Sequence, residues 1–148
     1  MSDPSGMGLV MVRVTISNQQ DVVDATAGRI PASAIRRIEI DALADTGAIG
    51  LAIPEEAAAR LGAPVVRERT VRVADGRSIR VAAVGALHIA VLGRDMLGEA
   101  IVLPAGATAL LGAIQLEYMD LVVVPSTGEV VPNPAHPEGP VLPLLCAS

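Results

Sequence analysis

The chain is almost without aromatic side chains: Phe and Trp are absent, and Tyr118 stands alone among 148 residues. With no rings on which bases could stack, a single-stranded nucleic-acid binder is excluded. A net charge of −5 leaves no electrostatic footprint for a phosphate backbone. Lysine is missing too; all eleven basic residues are Arg, a usage that fits genome composition and carries no functional inference. The single cysteine, Cys146, cannot form an internal disulfide. No cluster of His, Cys and carboxylates has metal-ligand or redox spacing, so neither a metal nor a cofactor is expected. A reducing, cytoplasmic location follows as the default. Met1–Gly8 is polar and Gly-rich and lacks the basic and apolar blocks of a signal peptide. Apolar runs such as Leu121–Val124 have strand length and are too short to cross a bilayer, so no membrane partner is expected.

What is present is aliphatic: half of the chain is apolar, mostly Ala, Val, Leu and Ile, enough for one core in one domain. Val10, Val12, Val14 and Ile16 alternate with Met11, Arg13, Thr15 and Ser17, the period of a strand. Ile38, Ile40 and Ala42 repeat that pattern within Ile35–Leu43, with Asp41 facing solvent, and the two strands are expected to pair. Asn18–Pro31 between them is polar and reads as a loop. Pro54–Leu61 reads as a helix: Pro opens it, Glu55 and Glu56 sit at the positive end of its dipole, and Gly62 caps it. Strands are expected at Arg69–Val73, Ser78–Val84, Leu87–Leu92, Ala100–Leu103, Leu121–Val124 and Glu129–Val131, with Thr108–Leu111 leading to Gly112 and a short helix at Ala113–Met119. His88 reads as a solvent-facing strand residue and Asp95 as part of a loop. From Pro132 onward five prolines predict an extended or disordered tail, in which His136 is given no role. The domain expectation is a flexible terminus over residues 1–8, one domain over 9–133 and the tail over 134–148. Many short strands with one or two short helices indicate a mainly-β barrel or sandwich.

The chemistry concentrates at Leu43-Ala44-Asp45-Thr46-Gly47-Ala48, where an acid lies between two apolar runs. Gly47 permits a tight turn and lets a backbone N–H approach the carboxylate. Thr46 can bond a neighbouring backbone, and Ala48 leaves room beside the acid. Hydrolysing a peptide without a metal takes a base for water and an acid for the carbonyl oxygen, and two adjacent carboxylates sharing one proton supply both. Only one Asp-Thr-Gly is present, so the second acid is most economically the same residue of a second copy. Val124-Pro125-Ser126-Thr127-Gly128 imitates such a loop with Ser for Asp, but only twenty residues follow it, too few for another lobe, and it reads as a hairpin turn.

Three segments in order, Leu43–Ala48, Val73-Ala74-Asp75-Gly76-Arg77 and Ala109-Leu110-Leu111-Gly112, resemble the retropepsin-like aspartic peptidases, in particular small single-domain forms found outside retroviruses. The resemblance implies an acid-protease barrel lobe working as a homodimer, with Asp45 catalytic. It implies that Thr46 bonds across to the partner loop and that Gly47 contacts the substrate backbone. Ala74, Asp75, Gly76 and Arg77 would form a flap over a peptide or unfolded-protein substrate. Leu110, Leu111 and Gly112 would pack under the catalytic loop. Interleaved terminal strands, with Gly8–Val12 and Leu121–Val131 as candidates, would hold the dimer. The competing expectation is a non-catalytic module of the same fold that binds peptides or dimerises.

Overall fold

The structure is a computed structural model that describes residues 9–142. The expected flexible terminus at residues 1–8, Pro143 and Cys146 lie outside the described residues. In chain order the elements are β1 (Met11–Asn18), α1 (Gln19–Thr26), a short 3-10 turn (Ala32–Ala34), β2 (Arg37–Ala44), β3 (Ala52–Pro54), α2 (Glu55–Leu61), β4 (Val65–Arg72), β5 (Ser78–Val91), β6 (Arg94–Leu103), β7 (Ala109–Leu111), α3 (Ala113–Tyr118), β8 (Leu121–Val124) and β9 (Glu129–Pro132).

Six strands close into a barrel in the order β1-β2-β7-β3-β6-β5, because β5 returns to pair with β1 through Thr15–Ala90, Ile16–Ile89, Ser17–His88 and Asn18–Leu87. Closure leaves no free edge in that ring. β4 continues the sheet outside it, paired with the first half of β5, and β8–β9 forms a separate hairpin. The alternation read from the sequence faces as expected: Val10, Val12, Val14, Ile16, Ile38 and Ala42 are buried, and Leu87, Ile89 and Val91 meet them from β5. The core is aliphatic, and burying each such side chain fully is worth about 1.5–3 kcal/mol. α2 adds Ala57 and Leu61 to that core and ends on Gly62 at φ 63°, the left-handed cap expected for it.

Four sequence expectations change. Asn18–Pro31 holds the helix α1 and the 3-10 turn, where a loop was expected. Asn18 caps α1, its side-chain oxygen accepting the Asp21 N–H at 3.1 Å while its amide donates to Leu61 O at 2.9 Å. The helix escapes periodicity because its one buried residue is Asp21, which grips the Arg36 guanidinium at 2.8 and 3.0 Å. Second, Ser78–Val84 and Leu87–Val91 are one strand with an irregularity in pairing between Val84 and Leu87. Third, Leu92 leaves that strand: at φ 53°, followed by Gly93 at φ 82°, it forms the two-residue β5–β6 turn. Fourth, Asp95 lies in β6, with Oδ2 at 2.8 Å from His88 Nε2.

The Pro-rich segment from residue 133 to 142 forms neither helix nor strand, yet it is tied to the barrel. Its anchor is Asp120, between α3 and β8 at φ 57°. The Asp120 carboxylate accepts from Asn133 Nδ2 at 3.1 Å and Val141 N–H at 3.1 Å, and lies 2.5 Å from His136 Nδ1. Arg94, buried at the start of β6, donates to the carbonyls of Met119, Asp120 and His136. No described helix is long and apolar enough to cross a membrane.

Candidate active site

β2 delivers the chain to Asp45, and β7 determines where it stops. β7 lies between β2 and β3, parallel to the first through Ala42–Ala109, Leu43–Leu110 and Ala44–Leu111, and antiparallel to the second through Ala52–Leu110. The segment from Asp45 to Leu51 therefore leaves one side of β7 and returns on the other. Its backbone is clamped at both ends: Ala44 N–H donates to Val10 O at 2.8 Å, Asp45 N–H to Leu111 O at 3.0 Å, and Leu51 O accepts Ile101 N–H at 2.9 Å.

Gly112 supports the middle. A Cβ there would stand 2.5 Å from Gly50 N, 2.6 Å from Gly50 O and 2.7 Å from Ala48 O, all backbone atoms, so only glycine fits beneath the loop. The first two N–H groups of α3, which have no partner inside a helix, donate outward to the loop: Ala113 to Ala48 O at 2.7 Å and Ile114 to Ile49 O at 2.9 Å. Gln115, buried, turns its Oε1 back to the Gly112 N–H at 3.3 Å. This residue was missed in the sequence. A polar side chain three places after the glycine that starts a helix is the signal that would have found it.

Held this way, Asp45 is half-buried and Thr46 and Gly47 are exposed. The Ala48 N–H closes a turn onto Asp45 O at 3.0 Å, and the Gly47 N–H donates to Asp45 Oδ1 at 2.8 Å. A Cβ on Gly47 would come within 3.2 Å of that same oxygen. The backbone thus orients the carboxylate through one oxygen and leaves the other free of recorded protein donors among the described residues. Such a group can hold a water or share a proton with a second acid.

The structure brings Asp45, Thr46, Gly47 and Ala48 together with Leu110, Leu111 and Gly112 in one hydrogen-bonded unit. Ala74, Asp75, Gly76 and Arg77 form the tip of the β4–β5 hairpin, a separate place in the fold. There Gly76 N–H and Val73 N–H close the turn at 2.9 Å each, onto Val73 O and Arg77 O, and Gly76 adopts φ 91°. Asp75 accepts the Arg77 backbone N–H at 2.9 Å and its Nε at 2.6 Å, contacts that hold its carboxyl below the usual range. β4 pairs with β5 alone and is exposed along nearly its whole length. Its base is tied to β6 where Arg67 and Arg69 meet Glu99 at 3.2 and 3.3 Å. Val124–Gly128 is the β8–β9 turn, as expected, with Gly128 at φ 72°. Among the described residues no group of three His, Cys, Asp or Glu side chains could hold a metal ion.

The family model described as aspartyl protease matches residues 34–130, about two thirds of the chain, and spans the Asp45 loop, the β4–β5 hairpin and Leu111-Gly112. No curated protein matches the chain. The chain belongs to the aspartyl protease family, and its closed six-stranded barrel with few helices is that of a retropepsin-like lobe.

Proposed function

We propose that this protein is a homodimeric aspartic endopeptidase whose site forms where the Asp45 loops of two copies meet across a two-fold axis. The observation that carries this reading is the state of Asp45: oriented by the Gly47 N–H at 2.8 Å, set on a loop clamped by β7 and α3, and open on its other oxygen.

Two such carboxylates at close range cannot both ionise, so they hold one proton between them and titrate as a unit. The ionised Asp45 takes a proton from a water lying between the pair. As that water attacks the scissile carbonyl carbon, the protonated Asp45 gives its proton to the carbonyl oxygen, making a neutral gem-diol. Collapse of that intermediate returns a hydroxyl proton to a carboxylate and delivers a proton to the departing amine, so the pair regains its single shared proton. Thr46 bonds across to the partner's loop and fixes the separation of the acids. Gly47 offers its backbone to an extended peptide, and Ala74–Arg77 closes over it as a flap. Substrate pockets in a chain without Phe or Trp are lined by aliphatic side chains.

A cleavage assay on an unfolded protein across pH, with Asp45→Asn and Asp45→Ala alongside, tests this. A bell-shaped acid-favoured profile that both substitutions abolish supports it; turnover unaffected by either removes it. Binding of an extended peptide without turnover at any pH would instead assign the chain to the non-catalytic members of its fold.

A further inference from the structure

The β4–β5 hairpin carries a charge opposite to that of the rest of the chain. From Val65 to Arg80 it holds five Arg against two acids, Glu68 and Asp75, while the remaining sequence has six Arg against fourteen Asp and Glu. Contacts within the fold do not cancel this excess. Arg67 and Arg69 share a single carboxylate, Glu99 of β6, at 3.2 and 3.3 Å. Arg77 pairs with Asp75 inside the turn, and Arg80 with Glu68. Arg72 is exposed and has no carboxylate partner among the described residues. Register sharpens the imbalance. Thr70 pairs with Arg80 and Arg72 with Ser78, so Arg72 and Arg80 lie on one face as diagonal neighbours, about 7–8 Å apart. That face has two guanidinium groups and one carboxylate, Glu68. Charge also guards an exposed edge strand such as β4 against aggregation, but either sign serves that purpose, and here one sign prevails.

We propose that the β4–β5 hairpin selects acidic peptides, with Arg72 and Arg80 taking a side-chain carboxylate of the extended substrate and Arg72 as the main specificity-determining residue. This rests on the reading above in which the hairpin closes over substrate. The Arg80–Glu68 pair does not block such a contact: its side chains are 74 % and 61 % exposed, and ion pairs that open to water are weak enough to exchange partners. A nucleic acid fits the hairpin less well, since the rest of the chain is acidic and has no Phe or Trp on which bases could stack. A charge contact remote from the reacting atoms is made equally in the ground state and the transition state. It therefore acts on KM and leaves kcat unchanged.

The test starts from a bond that the wild type cuts in an unfolded protein. Peptides carrying that bond, with Glu, Gln or Lys placed in turn at each flanking position, are compared by kcat and KM. The chains compared are the wild type, Arg72→Glu, the double variant Arg72→Glu/Arg80→Glu and, as a control away from the hairpin, Arg29→Glu, with circular dichroism showing that each has folded. The expected result is a wild type that favours Glu over Lys at one or more positions by at least about tenfold at low salt, through KM. Raising salt to about 0.5 M shrinks that preference, Arg72→Glu removes most of it, the double variant reverses it, and Arg29→Glu leaves it in place. A wild type that cuts all these peptides within twofold of one another overturns this inference and leaves the peptidase intact. So does a preference that the folded double variant retains. A wild type that cuts no unfolded protein at any pH overturns both.

Discussion

Two aspartates follow short elements at different places in this barrel, and they are treated in opposite ways. Asp120 has its carboxylate filled by Asn133, Val141 and His136, and those contacts, the Asn133 amide and the Val141 N–H foremost, hold its pKa down to about 2 against the opposing effect of burial. Asp45 receives one N–H, from Gly47. A carboxylate with its oxygens occupied is locked as an anion and fixes structure. One positioned by backbone through a single oxygen keeps the other open to a further hydrogen-bond partner. The difference separates a knot that holds the chain's last described segment from a group suited to chemistry.

The largest expected effect breaks the comparison at Asp45. Asp45→Asn should lower kcat/KM at least about a thousandfold with little change in Tm, whereas Asp120→Asn should lower Tm and leave kcat/KM of the folded enzyme close to wild type. Paired melting and turnover measurements check both, and a reversal of the pattern would exchange the roles assigned here. Next comes the floor under the loop. Gly112→Ala drives a methyl group into the backbone of Ala48 and Gly50, and overpacking of that kind costs about 3 kcal/mol, with activity falling together with stability. Thermal unfolding reads it directly.

A smaller effect sharpens the contrast through pH. The folded Asp120 carboxyl sits below its ordinary 3.8, so the fold favours the ionised form. That stabilisation is complete above about 4 and disappears as pH falls from there to about 2. The Tm difference between wild type and Asp120→Asn should therefore be constant at neutral pH and shrink to nothing over that acid window. Asp21, held low by the Arg36 guanidinium, has the same sign. The smallest effect is at the hairpin tip: Gly76→Ala meets no neighbouring atom but forces a side chain onto φ 91°, a strain of about 1–2 kcal/mol visible in denaturant melts.

What the sequence could reveal followed from local chemistry. Alternating Val and Ile marked β1 and β2, Pro54 and Gly62 bounded α2, and Asp45-Thr46-Gly47 stood out because an acid between apolar runs needs a reason. The helix α1 stayed hidden because it buries a carboxylate instead of an apolar stripe. Leu92 continues the apolar pattern of the strand before it, and nothing about leucine announces a left-handed turn. Barrel closure through Ile16–Ile89 and the ties from Arg94 and Asp120 to residues 133–141 join distant parts of the chain, and no local window contains them. The support of Asp45 by Leu111 and Gly112 lies between these cases: a resemblance implies it, while its physical basis, the lack of room for a single methyl group, arises only where Gly112 packs against Ala48 and Gly50 in the fold.

The central claim is that Asp45 is half of a site, and subunit mixing tests it most directly. Wild-type chain at fixed amount is exchanged with increasing Asp45→Asn chain and its peptidase activity followed. If each site draws one Asp45 from each of two chains, activity falls as mixed dimers form, to about half at an equimolar mixture and toward zero in excess variant. Activity that stays constant as the variant accumulates, with exchange confirmed, would show that one chain carries a complete site and contradict the account.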